Sequence, residues 1–130
     1  MKLSRGMQFR YSRQISKEDV REFTKASHDA NVYHVREDEQ GRLIAHGLLV
    51  ASLVTKIGGD RSFLARTMFF DFLKPTYSGD TLTCIATLDA LVEQRERVKC
   101  EFLFKISNQK GEVVMTGETS GMIRKGDLGE

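Results

Sequence analysis

Apolar and polar residues alternate over positions 7–15. Met7, Phe9, Tyr11 and Ile15 fall on one face, and Gln8, Arg10, Ser12 and Gln14 on the other. A period of two predicts a half-buried strand. Ser16 follows, with Asp19 three residues on, an N-cap and acidic partner that open a helix over 17–27. Its apolar stripe (Val20, Phe23, Thr24, Ser27) is thin, as expected of a short surface helix. Residues 28–46 show no sustained period, and a stretch of that size inside a compact domain is usually functional or disordered. The pattern turns helical again over 47–57. Leu48, Leu49, Ala51, Leu53, Val54 and Ile57 nearly encircle the axis, which predicts a buried helix ended by Gly58-Gly59.

The second half reads as strands. Met68, Phe70 and Phe72 alternate, and a turn follows over 74–80. Leu82, Cys84, Ala86, Leu88 and Ala90 alternate next, then Val98, Cys100, Phe102, Phe104 and Ile106. Residues 108–111 make a hairpin turn, and a last strand returns over about 112–124. Long meandering strands imply an antiparallel sheet. The expected fold is α+β, a curved antiparallel sheet wrapped around the 47–57 helix. There is no repeat and no linker, so residues 1–130 read as one domain with a core of about 7–125 and short tails over 1–6 and 126–130.

Composition narrows the class. In 130 residues, 20 Lys+Arg against 18 Asp+Glu leave a net charge of +2, too little for a dedicated nucleic-acid surface. The most apolar run, 47–54, is far short of the roughly 20 residues of a membrane span. The first residues lack the apolar core of a secretory signal, so the expected location is cytoplasmic. Cys84 and Cys100 then stay free thiols; both lie on apolar strand faces, as core filler rather than nucleophiles.

The candidate chemistry concentrates in the unpatterned stretch. His28, His34 and His46 all fall there, beside Asp29 and Asn31. Asp29 and His34 together can hold and activate one water as a general acid/base device. The alternative is that Asp29 caps a turn and His34 lies on the surface. Gly47 stands near the start of the buried helix, where free N–H groups and the helix dipole can stabilise an oxyanion. Alternatively, its glycine only lets the chain into the core. His46 can cap or position that turn. The histidine spacings match no zinc pattern, no G-x-S-x-G elbow is present, and no glycine-rich phosphate loop follows a strand, so no metal or nucleotide site is expected.

Several segments nevertheless resemble a known family. Ser27-His28-Asp29-Ala30-Asn31-Val32-Tyr33-His34 resembles the S-G-D-x-N-P-hydrophobic-H motif of MaoC-like dehydratases and (R)-specific enoyl-CoA hydratases. Ile44-Ala45-His46-Gly47 resembles their I-x-H-G, and Phe72-Leu73-Lys74-Pro75 with Ser78-Gly79-Asp80-Thr81-Leu82 their F-x-x-P and G-D-x-L segments. The segments come in the family's order over about 9–125. His28 stands at the motif glycine, Val32 at the motif proline and Tyr33 at a smaller aliphatic residue. The loop between His34 and His46 is also a few residues shorter than in many members.

The resemblance implies a hot-dog fold, a homodimer or higher homo-oligomer, and hydration of a trans-2-enoyl thioester or the reverse dehydration. It implies that Asp29 and His34 activate the water, that Asn31 supports their loop and that the N–H of Gly47 receives the thioester carbonyl. The acyl-CoA or acyl-carrier-protein thioester is itself the electron sink, so no cofactor is expected. Two other functions fit the same fold: a hot-dog acyl-CoA thioesterase and a non-catalytic acyl-CoA-binding module. The Asp-x-Asn-x-x-His spacing favours hydration over the first, and the presence of both Asp29 and His34 speaks against the second.

Overall fold

The computed structural model describes residues 2–128. Strand β1 (Gln8–Gln14) leads into helix α1 (Lys17–Ser27) through a capping box. The Ser16 hydroxyl accepts from the Asp19 amide at 3.0 Å, and the Asp19 carboxylate accepts from the Ser16 amide at 2.8 Å. These bonds satisfy donors that every helix start leaves open. A single helical turn, α2 (Val32–Val35), interrupts the expected loop, and α3 (Gly47–Gly59) follows. The rest is strand: β2 (Leu64–Phe72), β3 (Thr81–Glu93), β4 (Arg97–Ser107) and β5 (Val113–Arg124), closed by a 3-10 turn over Lys125–Leu128.

The five strands form one antiparallel sheet in the order β1-β3-β4-β5-β2. On β4 the alternation holds throughout: Val98, Cys100, Phe102, Phe104 and Ile106 are all buried. Leu49, Val50, Ala51, Leu53, Val54 and Ile57 of α3 join the same core cluster as these residues and Leu82, Cys84, Ala86 and Leu88 of β3. The helix-in-sheet expectation therefore holds. No helix among the described residues is long and apolar enough to cross a membrane.

Several local expectations need correction. Helix α3 runs through Gly58-Gly59 to a cap at Asp60, whose amide donates to the Lys56 carbonyl at 3.1 Å. A Cβ at Gly58 would meet Phe63 at ordinary contact distance, 3.4 Å, so neither termination nor crowding requires glycine there. Leu48 is exposed, so α3 is not buried on every side. A bulge at Asp89 shifts the register of β3, so Leu91 rather than Ala90 faces inward opposite Cys100. The N-terminal tail is not free, because Leu3 is buried in the core. Of the expected C-terminal tail, 126–128 belong to the 3-10 turn; residues 1, 129 and 130 lie outside the described part.

Strand β2 departs most. It starts earlier than the alternation suggested, and Leu64, Met68, Phe69 and Phe72 are exposed. Strand β2 is one of the sheet's two edges, paired with β5 alone, and unlike β1, the other edge, which buries Phe9, it has no buried side chain. Its backbone lies very close to two glycines of β5. A Cβ on Gly117 would stand 2.1 Å from the Phe69 carbonyl oxygen, and one on Gly121 2.0 Å from that of Leu64.

Candidate active site

Helix α1 ends at His28, whose φ of 64° is left-handed. A residue with a Cβ is strained there and glycine is not, which explains why a glycine suits this motif position. The turn throws Asp29 outward. The Asp29 amide donates to the Ser27 hydroxyl at 3.1 Å, and Asp29 Oδ1 accepts from the Asn31 amide at 3.2 Å. Asn31 then caps α2, its Oδ1 accepting from the Tyr33 amide at 3.1 Å. One carboxylate oxygen of Asp29 is thus committed to the turn and Oδ2 is left for chemistry.

Helix α2 delivers His34 to that oxygen. His34 Nδ1 lies 2.7 Å from the carbonyl oxygen of Ile44. A carbonyl only accepts, so Nδ1 carries the proton and Nε2 presents a lone pair. Nε2 stands 3.7 Å from Asp29 Oδ2. The pair is too far apart for a direct hydrogen bond and close enough to share one water. His34 is mostly covered, while about half of the Asp29 side chain is exposed.

His46 is buried beneath this pair. Its ring stacks on His34 with centroids 3.8 Å apart and planes 22° from parallel, and Phe23 packs against it at 4.7 Å. Its Nε2 lies 3.0 Å from the Asp29 carbonyl oxygen and 3.2 Å from the Thr24 hydroxyl. Burial holds the His46 pKa below the usual histidine value and the charge of His34 adds to this, against a smaller upward pull from the Asp29 carbonyl.

Gly47, the next residue, is the first of α3, so its N–H has no acceptor within the helix. It opens into a cleft of about 650 Å³. Asp29, His46 and Gly47 line its polar end, and Leu48, Val50, Phe72, Leu73 and Met115 its apolar flank, with Lys74 at the wall. The Phe72 ring lies over Gly47 so closely that a Cβ there would meet Phe72 Cε1 at 2.6 Å. A thioester carbonyl reaching this N–H would place its acyl chain on apolar surface.

The structure brings Asp29 and His34 together and Asp29 and Gly47 onto one cleft, which neither His34 nor Asn31 lines. Asn31 braces the turn, and Gly47 follows His46, whose ring bonds the Asp29 carbonyl. Asp29, His34 and His46 offer ligand atoms within 4.8 Å of one another, although their spacing in the sequence matches no metal pattern. The ring geometry fits a shared ion poorly. A metal bond lies along an imidazole's in-plane lone pair at about 2.0–2.1 Å, and two stacked rings do not aim those lone pairs at one point. The roles of Thr24 and Phe72 were not legible beforehand. The only signal for Thr24 was a polar residue on the apolar stripe of α1.

A family model described as "FAS1-like, dehydratase domain region" matches residues 6–117. A Rhodospirillum rubrum (R)-specific enoyl-CoA hydratase is 28% identical, covering 93% of this chain and 88% of its own. A mitochondrial 3-hydroxyacyl-[acyl-carrier-protein] dehydratase of Arabidopsis thaliana is 27% identical, covering 95% of this chain and 79% of its own. Among solved structures, an unliganded R-hydratase from Pseudomonas aeruginosa superposes with a TM-score of 0.84 at 22% identity, over 93% of this chain and 82% of that one. The architecture is the hot-dog fold.

Proposed function

We infer the function from one premise: this chain belongs to the FAS1-like dehydratase-region family. It is a hydro-lyase that adds water across a trans-2-enoyl thioester to give the (R)-3-hydroxyacyl thioester, or removes it in reverse. The observation that carries the site assignment is the approach of His34 Nε2 to within 3.7 Å of Asp29 Oδ2, a spacing at which one water can touch both, with Asp29 itself lining the cleft.

In this reading the water sits to one side of the pair, within hydrogen-bond reach of both groups. His34 Nε2 takes its proton as the oxygen adds to C3, and the electron pair moves through C2 onto the thioester oxygen. The N–H of Gly47 faces that developing charge; one such donor is worth roughly 3–4 kcal/mol in the transition state. The proton held at His34 then passes to C2, so atoms and charge balance. Asn31 keeps Oδ1 of Asp29 occupied and Oδ2 free. The thioester accepts the electrons, so the mechanism uses no metal and no organic cofactor.

The same reading includes a homo-oligomer, a dimer at least, supported by the apolar exposed edge strand β2. A reducing location such as the cytoplasm belongs with it, supported by two buried free thiols. Purified protein mixed with crotonyl-CoA should lose enoyl absorbance, release no free thiol and yield the (R) product. Rapid thiol release dependent on Asp29 would establish a thioesterase instead, and binding with neither change an acyl-CoA-binding module. Activity lost to a chelator together with a stoichiometric metal would overturn the metal-free mechanism.

A further inference from the structure

We propose that His46 is the positioning residue of this site: one buried imidazole, held in its Nε2–H form, keeps His34, Asp29 and the Gly47 amide in register. The inference rests on the hydration reading above.

The proton on His46 can be placed by elimination. The Thr24 hydroxyl donates its only hydrogen to the Val20 carbonyl at 3.0 Å, so toward His46 it offers only lone pairs. The Asp29 carbonyl also only accepts. Both neighbours of Nε2 are therefore acceptors, and Nε2 must be the donor. Nδ1 is then bare, and it is buried with no hydrogen-bond partner. A second proton there would be an N–H with nothing to receive it, an expensive state in a buried position. The titratable groups facing the ring are Asp29 and His34; α1 contributes only Thr24 and Phe23. His46 therefore has no proton to exchange during turnover, and its effect is geometric.

Three links run from this ring. Stacking fixes the plane of His34, whose edge is already held by the Ile44 carbonyl; the two constraints together aim Nε2 toward Asp29. The bond to the Asp29 carbonyl holds the backbone from which that carboxylate projects. His46 also precedes Gly47 directly, and its own carbonyl accepts from the Val50 amide at 3.1 Å, starting α3. Base, carboxylate and oxyanion donor come from three separate elements, and His46 touches or adjoins all three.

The test uses His46→Gln, which keeps an N–H donor without a ring, His46→Phe, which keeps a ring without a donor, and His46→Ala, which keeps neither. With crotonyl-CoA, His46→Ala should lose about 10²-fold in kcat, the size of effect that a small misplacement produces, with KM nearly unchanged. His46→Gln and His46→Phe should each recover part of that loss. Imidazole nitrogen NMR gives a readout independent of turnover: His46 should be the Nε2–H tautomer in the wild-type protein, and His34 a single Nδ1–H tautomer that becomes mixed in the variants. Full kcat in His46→Ala, a loss confined to KM, or an Nδ1–H signal from His46 would overturn the proposal. If the wild type does not hydrate crotonyl-CoA, the hydration reading fails, and the tautomers still decide the role of His46. If His46→Ala does not fold, the Gln and Phe variants and the wild-type spectrum decide it.

Discussion

The segment between α1 and α3 and the central strand β4 are ordered by opposite means. On β4 five alternate side chains are buried and the backbone is paired on both sides, to β3 and β5. In the segment over 28–46, Asp29, Asn31, Val32 and Tyr33 are exposed, and side-chain oxygens capture backbone amides one turn at a time. Burial orders the first; local hydrogen bonds and one histidine stack order the first turns of the second, before Leu43 and Ala45 return it to the core. Leu43 and Ala45 anchor the end of this segment in the core, but Asp29 and Asn31 lie outside it, so rate and stability should answer largely to different residues.

The largest expected effect separates the two. Asp29→Asn and His34→Ala should each lower hydration by about 10² to 10⁴. Thermal unfolding of Asp29→Asn should stay within about 0.5 kcal/mol of wild type. His34→Ala should lose about 1 kcal/mol with its bond to Ile44. The double variant should be barely slower than either single one, because both groups act on one water. Near-normal turnover in either variant would remove the pair from the mechanism. The converse is Ile106→Ala on β4. Ile106 is fully buried, so its truncation should cost about 2–5 kcal/mol. The folded fraction should turn over at the wild-type rate; a slowed kcat there would break the separation.

The same contrast explains what could be read from the sequence. On β4 each residue type states its own face, and the Ser16–Asp19 capping box is specified by two residues in contact with each other's backbone. The Asp29, Asn31 and His34 motif pointed to the right turn because these side chains act within a few residues of themselves. The role of His46 was hidden because its partners, Thr24, Asp29 and His34, arrive from elements whose packing no spacing encodes. Strand β2 misled for a related reason. Alternation tells which residues share a face, but not whether anything covers that face, and β2 sits at the edge. Gly58-Gly59 read as a stop although the helix continues through it.

That edge offers an intermediate effect. Gly121→Ala would set a methyl group 2.0 Å from the Leu64 carbonyl oxygen, which belongs to backbone and cannot swing aside. The overpacking should cost about 1–3 kcal/mol and loosen β2. If a second copy covers β2, light scattering should also show a shift toward monomer. An unchanged assembly together with unchanged stability would mean that β2 is held by something other than its close approach to β5.

The smallest expected effect lies where the two regimes meet, at the start of α1, the helix that carries Thr24 and Phe23 to His46. Ser16→Ala removes one capping bond and should cost about 1 kcal/mol. Asp19 supplies a pH signature. Burial alone would push its pKa up, but the Ser16 amide and the Arg13 guanidinium at 2.6 Å outweigh this, so the carboxyl stays below its usual value. A depressed carboxyl pKa means that the folded state binds the proton less readily than the unfolded one. Its contribution is complete above the ordinary aspartate range near ~3.9 and disappears as pH falls through the lower, folded value. Asp19→Asn should therefore be less stable than wild type at neutral pH and converge with it in acid. Ser16→Ala loses the hydroxyl's share of that lowering but keeps the amide bond and Arg13, so it should show a smaller convergence over the same range. Denaturant melts across that pH series would check both. Hydration by folded Ser16→Ala should match wild type, because the lost bond lies at the far end of α1 from Thr24; a slowed rate there would show that the cap also governs the placement of His46.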